Sequence, residues 1–164
     1  AGSLRLFAHE PPRYGNPVMS IVTIRALQQN DFPNWLPLWD ANNMGRRDEN
    51  LTTETWSRLM SDNAPVYGLC AIKKGDLAGI LHYILHPVTG SIDPACYMQD
   101  LYVDENHRKK GLARKMVQEL TKIGQSEKWA RIYWLAEADN AAAQALYKNL
   151  GVKLNFTLHV FPTQ

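Results

Sequence analysis

One continuous stretch, residues 96–113, constrains the fold more than any other part of the chain; it reads CYMQDLYVDENHRKKGLA. It begins as a strand-like run at residues 96–103, passes through a charged bend, and repeats its apolar residues with a helical period from Gly111 onward. A helix that begins at such a turn offers free backbone amides, and its dipole adds partial positive charge at the same end. The stretch therefore predicts a binding site for an anion, and most simply for the phosphate of a ligand.

The composition predicts one ordinary globular domain. A chain of 164 residues is long enough to bury a sizeable core, and its 45% apolar and 21% charged residues are typical of globular proteins. The formal net charge of +2 is too small to indicate a nucleic acid or a membrane surface as a partner. Because the basic residues concentrate at positions 108–115, they favour a local phosphate over a long polyanion.

The cysteines and the apolar runs indicate the compartment. Cys70 and Cys96 lie in apolar strand-like runs without disulfide or metal-ligand spacing, so we expect reduced, buried thiols and no metal. No apolar run reaches transmembrane length, and no signal-peptide pattern opens the chain. These features predict a cytoplasmic protein.

Hydrophobic periodicity predicts one α/β domain at residues 19–164, preceded by a flexible arm or residues foreign to the native chain at 1–18. Six strand-like runs are expected, at residues 21–27, 66–72, 77–85, 95–103, 131–136 and 153–161. Four helices are expected, beginning near Asn30 or Asp31, at Thr52 or Thr53, at Gly111, and at Asp139 or Asn140, the last ending at Leu150. Hairpin-like connections and one strand–helix–strand unit predict a mixed, mostly antiparallel sheet.

Three motifs in this order resemble a known family. The hexapeptide RKKGLA, residues 108–113, is similar to the Arg/Gln-x-x-Gly-x-Gly/Ala signature of the GCN5-related N-acetyltransferases, the GNAT superfamily. It is preceded by CYMQDLYV and followed by WLAEADNAAAQALYKNLGV, which resembles the family's second signature. The resemblance covers roughly residues 66–161, and within the family it looks closest to the branch of Hpa-type and diamine acetyltransferases.

The resemblance implies a GNAT fold with a strand–helix–strand core that binds acetyl-CoA, the acyl donor. It implies that backbone groups of Leu101, Tyr102 and Val103 pair with the pantetheine arm of that donor. It also implies that the turn and helix start grip the pyrophosphate. The residues of that grip are Arg108, Lys109, Lys110, Gly111, Leu112 and Ala113. Asn140 is expected to cap the last helix, to contact the cofactor, or both.

Tyr147 stands where the family motif has a tyrosine whose hydroxyl faces the cofactor sulfur. A phenol with a pKa of about 10 stays protonated at neutral pH and can donate a proton to a departing thiolate. The resemblance therefore implies that Tyr147 is the catalytic acid. The alternative is an aromatic side chain that only packs beside Leu146 on an amphipathic helix.

The group that removes the proton from the amine stays open at this point. An alkylammonium has a pKa of about 10.4, so only about one amine molecule in two thousand is neutral at pH 7. Relatives that acetylate polyamines carry Glu before Asp on this strand, whereas this chain has Gln99 and Asp100. Gln cannot accept a proton, so Gln99 is expected to orient a water or the substrate. Asp100, Glu137 and His82 are the candidate bases.

Together these features predict an acetyl-CoA-dependent enzyme that acetylates a primary amine directly, since no cysteine stands in a motif that activates a nucleophile. A small basic amine, polyamine or amino acid is expected before a protein lysine. The alternative is a non-catalytic acyl-CoA-binding module; a nucleotide-binding loop is disfavoured because the Gly-x-x-x-x-Gly-Lys pattern is missing. We expect no nucleic-acid or membrane partner. Members of the family often dimerise through their C-terminal strands, so the resemblance implies either a homodimer in which Phe156 and Phe161 take part, or a role for these two side chains in the core.

Overall fold

The computed structural model describes residues 21–163, so the arm expected at residues 1–18 lies outside the described part of the chain. The described residues form one five-stranded sheet in the order β1-β2-β3-β4-β5. The strands are β1 Val22–Ala26, β2 Val66–Lys73, β3 Asp76–Val88, β4 Ser91–Val103 and β5 Arg131–Tyr133. The first four pair antiparallel in sequence order, and β5 pairs parallel to β4.

Four α-helices cover both faces of this sheet: α1 Phe32–Asn42, α2 Glu49–Leu59, α3 Leu112–Ser126 and α4 Ala141–Tyr147. The core on one face contains side chains of α1 and α2, including Trp35 and Trp56. The core on the opposite face contains side chains of α3, and residues at the end of α4 pack against it. Because β4, α3 and β5 form a parallel strand–helix–strand unit, the predicted mixed and mostly antiparallel α/β sheet is confirmed.

The second helix begins earlier than the sequence predicts. Asp48, not Thr52 or Thr53, is its N-cap, and the Asp48 carboxylate accepts a hydrogen bond of 3.0 Å from the amide of Leu51. Asp caps a helix as well as Thr does, so the more N-terminal cap extends the helix. The hydroxyl of Thr52 is instead buried in the core, where it accepts a hydrogen bond of 3.3 Å from the indole N–H of Trp39.

The strand predicted at residues 153–161 is wrong. Residues 152–163 have no helical or strand structure, and their side chains are exposed. Alternating apolar residues continue through this segment: Val152, Leu154, Phe156, Leu158 and Val160. A strand needs a neighbouring strand for its backbone hydrogen bonds, and within the described chain none pairs with this segment.

Both cysteines are buried and free, as the sequence predicts. Burial raises the pKa of the Cys70 thiol to about 11 and that of Cys96 to about 12. Thiols with such pKa values are protonated and unreactive at neutral pH. This agrees with a reaction that does not pass through an acyl-cysteine.

Candidate active site

A β-bulge interrupts the pairing of β4 with β3 at Gln99. His82 and Tyr83 are consecutive in β3, but their partners in β4 are Asp100 and Met98, so Gln99 is an extra, unpaired residue. A bulge of this kind disrupts the regular ladder and redirects the side chains that follow it. Gln99 itself is exposed.

The bulge moves Asp100 to the face of the sheet that α1 covers. Met98 before the bulge belongs to the core on the α3 face, and Leu101 after it packs against the same core. Two residues therefore separate these side chains instead of the single residue of a regular strand. Asp100 consequently contacts α1, and Tyr102 packs against the core beneath α1 and α2.

The pairing of strands β4 and β5 ends immediately beside this bulge. Their pairing runs from Ala95 opposite Arg131 to Tyr97 opposite Tyr133, where β5 ends. Beyond that point β4 continues to Val103 without a strand on this side among the described residues. This edge of β4, which we call the β4–β5 gap, therefore has no strand partner in the described chain and would suit an extended ligand. The three predicted pantetheine-pairing residues lie along it.

Gly111 begins α3 in a left-handed conformation. Its φ angle is 77°, a value that favours glycine, and no side chain caps the first turn of the helix. A Cβ atom added to Gly111 would meet no protein atom within 4 Å. The backbone conformation therefore explains this glycine, and no side-chain hydrogen bond caps the amides at the start of α3. Such a helix start fits a phosphate group.

The three cations before Gly111 have different surroundings. Arg108 donates a hydrogen bond of 3.0 Å from Nε to the carbonyl of Val103, and its guanidinium lies 5.3 Å from the centre of the Tyr102 ring. Lys110 donates a hydrogen bond of 2.7 Å to the carbonyl of Asn106. Lys109 is exposed and has a positive φ of 57°. Arg108 thus fastens the turn to the end of β4.

Tyr147 is the last residue of α4 and lies half-buried against the α3 face of the sheet. The centres of its ring and the Trp134 ring are 5.1 Å apart. Burial raises the pKa of the Tyr147 phenol above its ordinary value, so the phenol is protonated at neutral pH and can donate a proton. Asn140 is the N-cap of the same helix, because its side-chain oxygen accepts a hydrogen bond of 3.0 Å from the amide of Ala143.

A chain of four polar side chains crosses from α1 to β4. The indole N–H of Trp35 donates to Nε2 of His82 at 3.0 Å, and Nδ1 of His82 lies 3.0 Å from Oδ2 of Asp100. The side-chain amide of Asn42 donates to Oδ1 of Asp100 at 3.1 Å. An indole N–H is a donor only, so Nε2 of His82 accepts and Nδ1 carries the proton that it donates to Asp100.

This arrangement reduces the set of candidate bases. The Nε2 lone pair of His82 is already occupied, and the residue is 3% exposed, so His82 cannot reach a substrate. Glu137 lies in the irregular segment between β5 and α4 and is exposed. The Asp100 side chain retains 20% of its surface at the bulge. Asp100 and Glu137 thus remain candidate bases, and Asp100 is the one that lies at the bulge.

An aromatic cluster beside Asp100 was not predicted. The Tyr97 and Tyr133 rings stack with centres 5.2 Å apart, and a hydrogen bond of 2.8 Å joins Tyr133 OH and His86 Nε2. Burial and then the negative charge of Asp100 raise the pKa of Tyr97. The alternation of side chains along β4 was the available sequence signal for which residues share a face of the sheet. Only the position of the bulge shows that Tyr97 and Asp100 are on the same face and close together.

The mixed sheet and the uncapped start of α3 suit one class of protein, an acyltransferase that uses a phosphate-bearing acyl donor. The chain belongs to the acetyltransferase (GNAT) family, whose model matches residues 23–152, and it is an N-acetyltransferase. Acetyl-CoA is the donor that this family uses. The predictions of family and fold class are thereby confirmed.

Relatives support the assignment. The chain is 26% identical to the D-amino-acid N-acetyltransferase HPA3 of Saccharomyces cerevisiae over 84% of this chain and 89% of that protein. It has the fold of the aminoglycoside N-acetyltransferase AAC(6')-Iy in complex with CoA, with TM-score 0.76, 16% identity and coverage of 91% of this chain and 99% of the other. It is also similar to the ribosomal-protein-alanine N-acetyltransferase of Brucella melitensis biovar Abortus 2308, with TM-score 0.74, 20% identity and coverage of 87% and 99%.

Two further observations bear on the predicted partners and cofactors. None of the helices between residues 21 and 163 combines the length and the hydropathy needed to cross a bilayer. Within the same range, no group of three or more His, Cys, Asp or Glu side chains is arranged to hold a metal ion.

Proposed function

We propose that this enzyme transfers the acetyl group of acetyl-CoA directly to a primary amine of a small molecule: a basic amine, a polyamine or an amino acid. The observation that carries the proposal is the placement of Asp100 and Tyr147. Asp100 approaches the β4–β5 gap from the α1 face of the sheet, and Tyr147 packs on the opposite face. An acyl group held in the gap would have a carboxylate on one side and a proton donor on the other.

The residues present fit acetyl-CoA. The amides that follow Gly111 suit its pyrophosphate, and the unpaired edge of β4 at Leu101, Tyr102 and Val103 suits its amide-containing arm. When bound, acetyl-CoA supplies the acetyl group as an activated thioester. Arg108, Lys109 and Lys110 add positive charge beside the phosphates, and Asn140 is a further proposed contact at the start of α4.

Tyr147 is the proposed acid. With acetyl-CoA bound, the protonated phenol would donate its proton to the sulfur of the leaving thiolate. The O–H bond of the phenol would break, and the S–H bond formed would neutralise the charge that develops on sulfur. The raised pKa keeps this proton in place through the neutral range. Contact with Trp134 fixes the ring against the sheet.

Asp100 is the proposed base, and Gln99 is the proposed orienting residue. One N–H bond of the acceptor's ammonium form breaks, its proton passes to a carboxylate oxygen of Asp100, and the nitrogen lone pair that this bond leaves behind becomes available for attack. Gln99 cannot accept a proton, but its exposed amide at the bulge can donate and accept hydrogen bonds with the acceptor or a water.

The acceptor class rests on the relatives and on the site. HPA3 is named for D-amino acids, and other relatives are named for aminoglycosides and for ribosomal-protein alanine. The Asp100 carboxylate beside the Tyr97 and Tyr133 rings favours a small cationic amine over a peptide. A lack of nucleic-acid and membrane partners agrees with the net charge of +2 and, like the cytoplasmic location, stays a prediction.

Thiol release from acetyl-CoA with a panel of amines separates this proposal from a non-catalytic acyl-CoA-binding module. The panel contains polyamines, amino acids of both hands, an aminoglycoside and a lysine-containing peptide. We expect turnover with at least one small amine. Tight binding of acetyl-CoA without turnover on any amine would support the module instead.

We also propose that the chain forms a homodimer through residues 152–161. The side chains of Val152 and Phe156 are 86% and 84% exposed, and contiguous apolar surface of this kind marks interaction sites. Sedimentation velocity tests the proposal: we expect a dimer for the native chain and a monomer for Phe156→Glu. A monomeric native chain would contradict it.

A further inference from the structure

We propose that His82 is a positioning residue that, locked by Trp35, holds Asp100 as an oriented anion to which the acceptor amine docks as an ammonium ion. This inference rests on the proposed function, because it assigns the acceptor side of the same site. His82 and Trp35 are both buried, and neither takes part in the proposed reaction steps.

The lock begins at Trp35, which is completely buried and stacks on Trp39 with ring centres 5.3 Å apart. Its indole N–H points at Nε2 of His82 and cannot act as an acceptor. A proton on Nε2 would face another N–H at 3.0 Å without an acceptor between them, and this would cost the full penalty of an unmade buried hydrogen bond. His82 is therefore neutral with its proton on Nδ1.

The proton on Nδ1 determines which acceptor positions of the Asp100 carboxylate stay open to a ligand. It is donated to Oδ2, while Asn42 donates to Oδ1. Each oxygen keeps a further acceptor position, and the side chain is 20% exposed. With two fixed donors behind it, the carboxylate cannot rotate freely, and its remaining acceptor positions are left for a ligand.

The Asp100 carboxylate lacks the cationic partner that two other carboxylates, those of Asp31 and Asp40, have among the described residues. Asp31 pairs with Arg25, and Asp40 pairs with Arg47. The ionisable partner of Asp100 among residues 21–163 is His82, which the Trp35 contact keeps neutral. A partly buried anion without a cation attracts a cationic ligand.

The neighbouring aromatic rings suit the same ligand. Tyr97 lies next to Asp100 and stacks on Tyr133. Aromatic faces attract ammonium groups, and they exclude the water that would otherwise screen the ion pair. A carboxylate beside stacked aromatic rings thus suits a primary ammonium group better than a neutral amine.

Two substitutions of His82 test the inference. His82→Asn retains a side-chain N–H near the position of Nδ1, whereas His82→Leu fills the space without a donor. We expect His82→Leu to raise KM for an alkylamine about tenfold, as for a lost hydrogen bond to a charged group, and His82→Asn to restore most of it. KM for acetyl-CoA should stay within about twofold of the native value, since the helix start is untouched.

An aryl amine, which is uncharged at neutral pH, provides the matched acceptor control. Its KM should not change in His82→Leu, because it carries no ammonium for Asp100 to bind. An equal rise of KM for both amines, or no rise for the alkylamine, would overturn the inference alone. A native chain without turnover on any amine would instead overturn the proposed function, and this inference with it.

Nitrogen NMR of the native chain tests the lock without a substitution. We expect one histidine with a protonated Nδ1 and an unprotonated Nε2 at neutral pH. Trp35→Phe removes the donor and should allow that histidine to carry its proton on Nε2 instead. An imidazolium or an Nε2-protonated His82 in the native chain would overturn the inference even if the His82 variants do not fold.

Discussion

Arg108 donates a hydrogen bond from Nε to the carbonyl of Val103 at 3.0 Å, joining the turn that precedes α3 to the last residue of β4. The guanidinium also lies over the ring of Tyr102. We therefore expect Arg108 to act on the proposed ligand site in two ways, through its charge and through the shape of the turn.

Substitution of methionine for two neighbouring cations separates these effects. Arg108→Met and Lys109→Met each remove one positive charge, but only the first removes the contact with Val103. We expect KM for acetyl-CoA to rise about fivefold in Arg108→Met, which corresponds to about 1 kcal/mol, and less than twofold in Lys109→Met. Equal effects would mean that charge alone matters.

Gly111 should be required for its conformation. Because φ is 77°, alanine at this position would be strained, and we expect Gly111→Ala to lower the free energy of unfolding by about 1 kcal/mol. Gly90→Ala is the control, since Gly90 also has no neighbour within 4 Å but has no positive φ. Urea denaturation measures both variants, and equal stability of the two would contradict the argument.

Removal of the Asp48 cap tests the observed start of α2. Asp48→Ala leaves the amide of Leu51 without its acceptor, so we expect a loss of about 1 kcal/mol in the free energy of unfolding. Thr53→Ala changes an exposed residue that was a candidate cap on sequence grounds, and it should be nearly neutral. Thermal unfolding measures both variants. A larger loss in Thr53→Ala than in Asp48→Ala would contradict the observed start of the helix and favour the later start predicted from the sequence.

The buried thiols predict how stability depends on alkaline pH. In the folded chain the pKa of Cys70 is about 11 and that of Cys96 about 12, above the ordinary value of 9.0. The unfolded chain loses these protons first, so their contribution is complete below pH 9 and is lost as the pH rises through the folded pKa values. We expect Tm to fall above pH 9, and to fall less in Cys96→Ala.

The fold was largely predictable because its signals are local. The amphipathic period of α3, the hairpin connections and the strand–helix–strand unit can all be read within about twenty residues. The error at residues 153–161 has the same origin. Alternation there predicts a strand, but a strand also needs a partner, and no local pattern supplies one.

The parts of the candidate site that could be predicted are likewise those with a local sequence signal. The helix start at Gly111 and the tyrosine at position 147 follow sequence motifs, and the structure places both beside the core of the α3 face. The bulge at Gln99 depends on the register between two strands, and only that register brings Asp100 to His82. Contacts set by strand register cannot be read from periodicity.

The kcat for acetylation of the best amine, compared between the native chain, Tyr147→Phe and Asp100→Asn, tests the central claim most directly. We predict that each substitution lowers kcat about a hundredfold, while the Kd of acetyl-CoA, measured by calorimetry, stays within about twofold. A native kcat in either variant would contradict the account, because a proton donor and a carboxylate on opposite faces of the split sheet would then have no part in the reaction.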